Sequence, residues 1–175
     1  MPPAQFLRAD RGRGFASPAA HVLCALAAAA LVQPAPASAQ KVRITNLSDV
    51  DFGTITNLQA DSRRAQNICL YSNGAAGGYS VLASGSGAGS AFSLASGPSQ
   101  LAYDVEWSGQ SGQSSGTALS PNVALTGQTS SATHQFCNSG PSASASLVVV
   151  LRGAELSRAR QGNYSGTLTL LIAAE

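Results

Sequence analysis

The chain has 175 residues, 10% of them charged, 18 glycines and a formal net charge of +2, a length that suits one domain with a short appendage. All of the charge excess sits in the first 39 residues, where Arg8, Arg11 and Arg13 outweigh Asp10 and leave seven basic and seven acidic residues from Gln40 onward. A neutral domain gives no electrostatic case for nucleic acid or an anionic membrane surface as a partner.

Residues 1–39 read as a signal peptide. The three arginines form a basic start, residues 18–32 an alanine- and leucine-rich stretch, and Ala37-Ser38-Ala39 a small-residue cleavage signal before Gln40. The apolar stretch is roughly 15 residues, short of the ~20 a membrane-spanning helix needs, so no membrane insertion is expected after cleavage. Cys24 follows His21-Val22-Leu23 and not the small residues of a lipoprotein site, which argues against lipidation. The mature domain is then residues 40–175, secreted, with Cys69 and Cys137 as an even pair that reads as one structural disulfide.

Along that domain the apolar residues follow a period near two, and hardly anywhere 3.6. The first strand is expected over residues 41–55, with Asp49 and Asp51 on its solvent side and Val50 and Phe52 turned inward. Further strands are expected over 64–71, 78–83 and 91–94. Residues 101–107 should form one strand, in which Leu101, Tyr103, Val105 and Trp107 share a face against Ala102, Asp104 and Glu106. Residues 108–117 have little to bury and are expected to be a mobile surface loop. A strand is expected near 132–137, then one over 145–151, where Leu147-Val148-Val149-Val150-Leu151 is apolar on both faces and suits a centrally placed strand. Residues 154–161 have room for one or two helical turns, and 164–173 for a last strand. Turn formers such as Asn73-Gly74, Gly97-Pro98 and Ser139-Gly140-Pro141 separate these runs, so seven or eight strands in a β-sandwich follow.

Chemistry-bearing patterns are sparse. Gly112-Gln113-Ser114-Ser115-Gly116 matches the G-x-S-x-G of hydrolase nucleophile elbows, but an elbow requires a preceding strand and a following helix. Here a Ser/Gly/Gln tract precedes and Thr117-Ala118-Leu119-Ser120-Pro121 follows, so no catalytic role is expected for Ser114 or for His134 as its base. His134 is the one histidine after residue 39 and no Cys-x-x-Cys occurs, which leaves neither a zinc ligand set nor a catalytic dithiol. Asp49/Asp51 and Asp104/Glu106 read as solvent sides of strands, Arg63-Arg64 and Arg158-x-Arg160 as solvated charges. Ser84-Gly85-Ser86-Gly87-Ala88-Gly89 lacks the lysine and helix of a phosphate loop. No catalytic residue, cofactor or metal is expected.

In order, Phe52-Gly53, Ile68-Cys69-Leu70-Tyr71-Ser72-Asn73, Tyr79-Ser80-Val81 with Gly85, Leu101-x-Tyr103-x-Val105-x-Trp107, Cys137 and Gly162-x-Tyr164-Ser165-Gly166-Thr167-Leu168-Thr169-Leu170 resemble the spore coat protein U family. That family includes secreted pilin-like subunits of archaic chaperone–usher pili. The resemblance implies an all-β, immunoglobulin-like (pilin-type) β-sandwich lacking its last strand. It also implies a non-enzymatic structural or adhesive subunit of a pilus or coat, in the periplasm in transit and then at the cell surface. The partners so implied are a periplasmic chaperone, an outer-membrane usher and neighbouring pilin-like subunits. An apolar last strand left at an open edge would accept a strand from such a partner, with Leu168, Leu170 and Ile172 facing the slot from one side and Val42 and Ile44 from the other. Two departures stand out: residues 40–67 lack the early cysteine of many relatives, and only Gln40-Lys41 precede the first strand. The chain is therefore expected to accept a strand without giving one, at a fibre tip or as a lone coat protein, unless Val42, Ile44, Val50 and Phe52 themselves form the donor. The alternative to an assembly subunit is a stand-alone secreted binding domain, taking carbohydrate or a surface ligand through Tyr71, Tyr79 or Trp107.

Overall fold

The computed structural model describes residues 39–175, and the expected signal peptide lies outside them but for Ala39. The strands are β1 (Val42–Thr45), β2 (Ser62–Ser72), β3 (Gly78–Gly85), β4 (Ser93–Ser96), β5 (Ser99–Ala102), β6 (Asp104–Ser108), β7 (Thr117–Ala118), β8 (Leu125–Thr129), β9 (Ala145–Leu151) and β10 (Leu168–Ala174), with one helical turn, α1 (Gly153–Leu156). They form a five-stranded sheet in the order β1-β2-β9-β6-β7, a three-stranded sheet β10-β3-β8, and the β4-β5 hairpin. Every ladder between these strands is antiparallel. The order β1-β2-β9-β6 facing β3 and β10 is that of strands A-B-E-D facing C and F in a constant-type immunoglobulin sandwich. The place of strand G, beside β10, holds no strand among the described residues. The described residues form an all-β, immunoglobulin-like sandwich with no strand at the place of G.

Alternation builds the core. On β2, β9 and β6 the inward residues are Ile68 and Leu70, Ala145, Leu147, Val149 and Leu151, and Val105 and Trp107. They meet Tyr79, Val81 and Ala83 of β3. Trp107 is 1% exposed; its Nε1–H donates to the Tyr79 hydroxyl at 3.1 Å and the two rings meet edge to face. Such a bond lets an indole be buried without leaving its donor unsatisfied.

The outer face of the large sheet is covered as well. The loop after β6 folds across it: Gly112 N–H donates to Asn67 Oδ1, Gln113 N–H to Ser146 Oγ, and Gly116 N–H to Glu106 Oε2. All seven residues of β9 are therefore buried, which explains its two apolar faces. The loop expected to be mobile is tied to the sheet by these bonds. Glu106, expected at the solvent, is 7% exposed and bonds Arg63 at 3.1 Å, while Arg152 Nη2 lies 3.8 Å away. Arg63 is thus an ion-pair partner and not merely a solvated charge. Arg152 reaches Asp104 at 2.6 Å and Asp61 at 2.8 Å. Asp61 also accepts from Gly153 N–H, and that bond first, then the guanidinium, holds its carboxyl below the usual carboxylate range.

Three expected strands differ. The run 101–107 keeps its four apolar residues buried, but changes partner at Tyr103, whose N–H donates to Phe92 O at 3.0 Å in continuation of the β4–β5 pairing while its ring stacks on Phe92; from Asp104 the chain pairs with β9 instead. The run near 132–137 is a loop, and the strand lies earlier, at β8, whose polar Leu125-Thr126-Gly127-Gln128-Thr129 masks it. The first strand stops at Thr45. The next residue, Asn46, sits at φ +65°, a left-handed conformation that ends the ladder, and a second left-handed turn follows at Gly53, φ +62°, whose N–H donates to Asp51 Oδ1.

Candidate functional site: the open edges of the sandwich

β10 has a neighbour, β3, on one side only, and β1 likewise has only β2. Both lie on the same flank of the sandwich, where their Cα atoms approach within 8 Å. β1 runs opposite to β2, β2 turns tightly into β3, and β10 runs opposite to β3. The two open edges are therefore antiparallel; where they come within 8 Å there is no room for a strand between them, which would set its neighbours about 10 Å apart, so a strand added on this flank pairs with the edge of β10.

Hydrogen-bond parity decides which groups these edges offer. Glu175 N–H donates to Gly78 O, so on β10 residues 169, 171 and 173 turn their N–H and C=O toward β3, and Leu168, Leu170, Ile172 and Ala174 turn theirs to the open side. Asn73 N–H donates to Lys41 O, so by the same rule Val42 and Ile44 point theirs away from β2. Side chains follow the same alternation. Leu168, Leu170, Ile172 and Ile44 are half-buried against the core, and Val42 lies opposite buried Ser72. Of the five residues expected at a strand-acceptor groove, Ile44, Leu168, Leu170 and Ile172 are half-buried against the core with backbone groups on the open side, and Val42 shares the backbone parity of Ile44.

The sequence reading missed a third component. From Asn46 to Ala60 no backbone group bonds another backbone group. Instead, Gln66 of β2 bonds Ser48 through both ends of its amide, and Arg64 donates to Asp51 O and Phe52 O with its guanidinium over the Phe52 ring. Val50, Phe52 and Ile55 pack against the core but stay half-exposed. The alternation Asp49-Val50-Asp51-Phe52 signalled these inward groups. The side-chain clamps that hold the segment off β2 have no sequence signature. Val42 and Ile44, paired within β1–β2, act here as part of the chain's own sandwich.

Cys69 and Cys137 form the disulfide. It pins the 131–143 loop over the outer face of β2, where Phe136 lies 3.9 Å from the Arg43 guanidinium of β1. Of the candidate ligand residues, Trp107 and Tyr79 are core groups and offer no stacking surface, and Tyr71 packs beside the disulfide. Ser114 lies in the loop between β6 and β7, where its carbonyl accepts from Arg63, and a strand follows it where an elbow needs a helix. A shallow cleft of about 350 Å³ between Gln110 and Gln128 is lined by uncharged groups.

No protein-family model and no curated protein matches the chain. Chains of solved structures do, one of them from work on the chaperone–tip adhesin complex in CFA/I fimbriae biogenesis, 11% identical with a TM-score of 0.49. The match covers 78% of this chain and 41% of that one. No helix of the described residues is long and apolar enough to cross a membrane.

Proposed function

We propose that the protein is a non-enzymatic structural or adhesive subunit of a surface fibre or coat, exported behind a cleaved signal peptide. It is completed by a strand from another polypeptide, first a periplasmic chaperone at an outer-membrane usher and then a neighbouring subunit. One observation carries this reading: on the flank where strand G belongs, inward apolar groups and free backbone groups coincide on the same residues, Ile44, Leu168, Leu170 and Ile172, and Val42 shares the backbone parity of Ile44. A strand seated there satisfies the backbone through main-chain bonds and fills the slot through alternate side chains. The family resemblance in the sequence points to the same assembly.

The test is to supply the absent strand. A tight turn and a ten-residue alternating apolar strand appended after Glu175 should return along β10 and complete the sandwich. We expect Tm to rise by at least about 10 °C, equivalent to a few kcal/mol in a domain of this size. A version with proline at the alternate inward positions should give no gain, because it removes donors from the new ladder. Equal Tm values for the two appended proteins would refute the reading.

A further inference from the structure

The free edge of β10 is its own complement. Leu168–Ala174 contains no charged residue and no proline, and its register with β3 runs without a bulge. It thus lacks the devices that keep edge strands from pairing with another chain. Its midpoint is Leu171, which is 62% exposed on the outward face opposite half-buried Leu82. We infer that β10 is a homodimerisation edge: a second copy of this chain pairs with it antiparallel about a twofold axis through Leu171, joining two three-stranded sheets into one.

The symmetry follows from the parity of the strand. An axis through Leu171 sets Leu170 opposite Ile172 and Leu168 opposite Ala174, and these are the residues whose N–H and C=O groups face the open side. Each such pair exchanges two hydrogen bonds, and the inward apolar groups of the two copies meet across the seam. Leu171 meets its counterpart at a position without hydrogen bonds, where Cα atoms come within about 4.5 Å and side chains pack closely. The most exposed large apolar residue of the described chain is thereby covered. Charge raises no barrier along the strand: Leu168–Ala174 is uncharged, and the carboxylate of Glu175, which follows it, accepts from Gly127 N–H of β8, on the far side of β3. The contact is isologous and closes on itself, so it gives dimers and not fibres.

This inference rests on the same open edge as the proposed function and makes the two partners mutually exclusive: the second copy covers β10 until a donor strand replaces it. The experiment uses single-cysteine variants in a Cys24→Ser chain. Leu171→Cys should give mostly covalent dimer on mild oxidation. Ala173→Cys should give at least about tenfold less, because its twin lies four residues along the partner strand, roughly 14 Å away. No Leu171→Cys dimer, or equal cross-linking at both positions, overturns the proposal. In sedimentation, Leu171→Lys should weaken the dimer roughly tenfold or more by setting like charges opposite each other, and an unchanged dimer would refute the register. Leu171 faces away from the slot, so Leu171→Lys should leave the Tm gain of the appended strand intact. Loss of that gain alongside persistent cross-linking would defeat the strand-acceptor reading alone.

Discussion

Trp107 and Tyr79 show how a single hydrogen bond sets the role of an aromatic pair. Their surfaces are inside the sandwich, and the Tyr79 hydroxyl is the acceptor that makes burial of the indole tolerable. Tyr79→Phe keeps the ring but orphans the Trp107 donor, and should cost about 1–3 kcal/mol in denaturant unfolding. Burial pushes the Tyr79 phenol up, only partly offset by the bond from Trp107, and burial also raises Tyr103. Both folded pKa values exceed the unfolded value of about 10, so this stability is present below pH 10 and is lost as pH rises beyond it. Titration of unfolding free energy between pH 8 and 11 should show a shallower alkaline loss in Tyr79→Phe than in the parent; parallel curves would contradict the assignment.

Strands were legible where both packing and pairing act on the same residues. β9 was readable to the residue because the covering loop and the core both demand apolar groups, and the face shared by Leu101, Tyr103, Val105 and Trp107 was right although its backbone breaks. The break marks the change of partner from β4 in a local hairpin to the distant β9, which no local pattern reveals. β8 was hidden because it is an edge strand whose residues are mostly polar. Segment 46–60 has strand-like alternation yet no ladder, since Arg64 and Gln66 take its backbone groups with their side chains. The disulfide was readable from cysteine count alone. It fastens an irregular loop, so its removal should act chiefly on the unfolded chain. Cys69→Ser with Cys137→Ser should lower unfolding free energy by about 4 kcal/mol for a separation of 68 residues. A loss below ~1 kcal/mol in chemical denaturation would show that the loop is held by Phe136 and its neighbours instead.

At the scale of the whole molecule, the sandwich is closed on one flank and open on the other. On the open flank an antiparallel pair of edges offers backbone groups from the same residues that face the core. The alternation of Val42 and Ile44, and of Leu168, Leu170 and Ile172, was legible near the two ends of the domain. The inward turn of Val50 and Phe52 was legible too, but the lack of a ladder beside them was not, because it depends on the side chains of Arg64 and Gln66. Amide hydrogen exchange, measured residue by residue on dilute monomer, addresses this flank most directly. The N–H groups of Thr169, Leu171 and Ala173, bonded to β3, should be protected, while those of Leu168, Leu170, Ile172 and Ala174 exchange fast in the monomer and become protected when a strand is appended. Uniform protection along β10 in the free monomer would contradict the account.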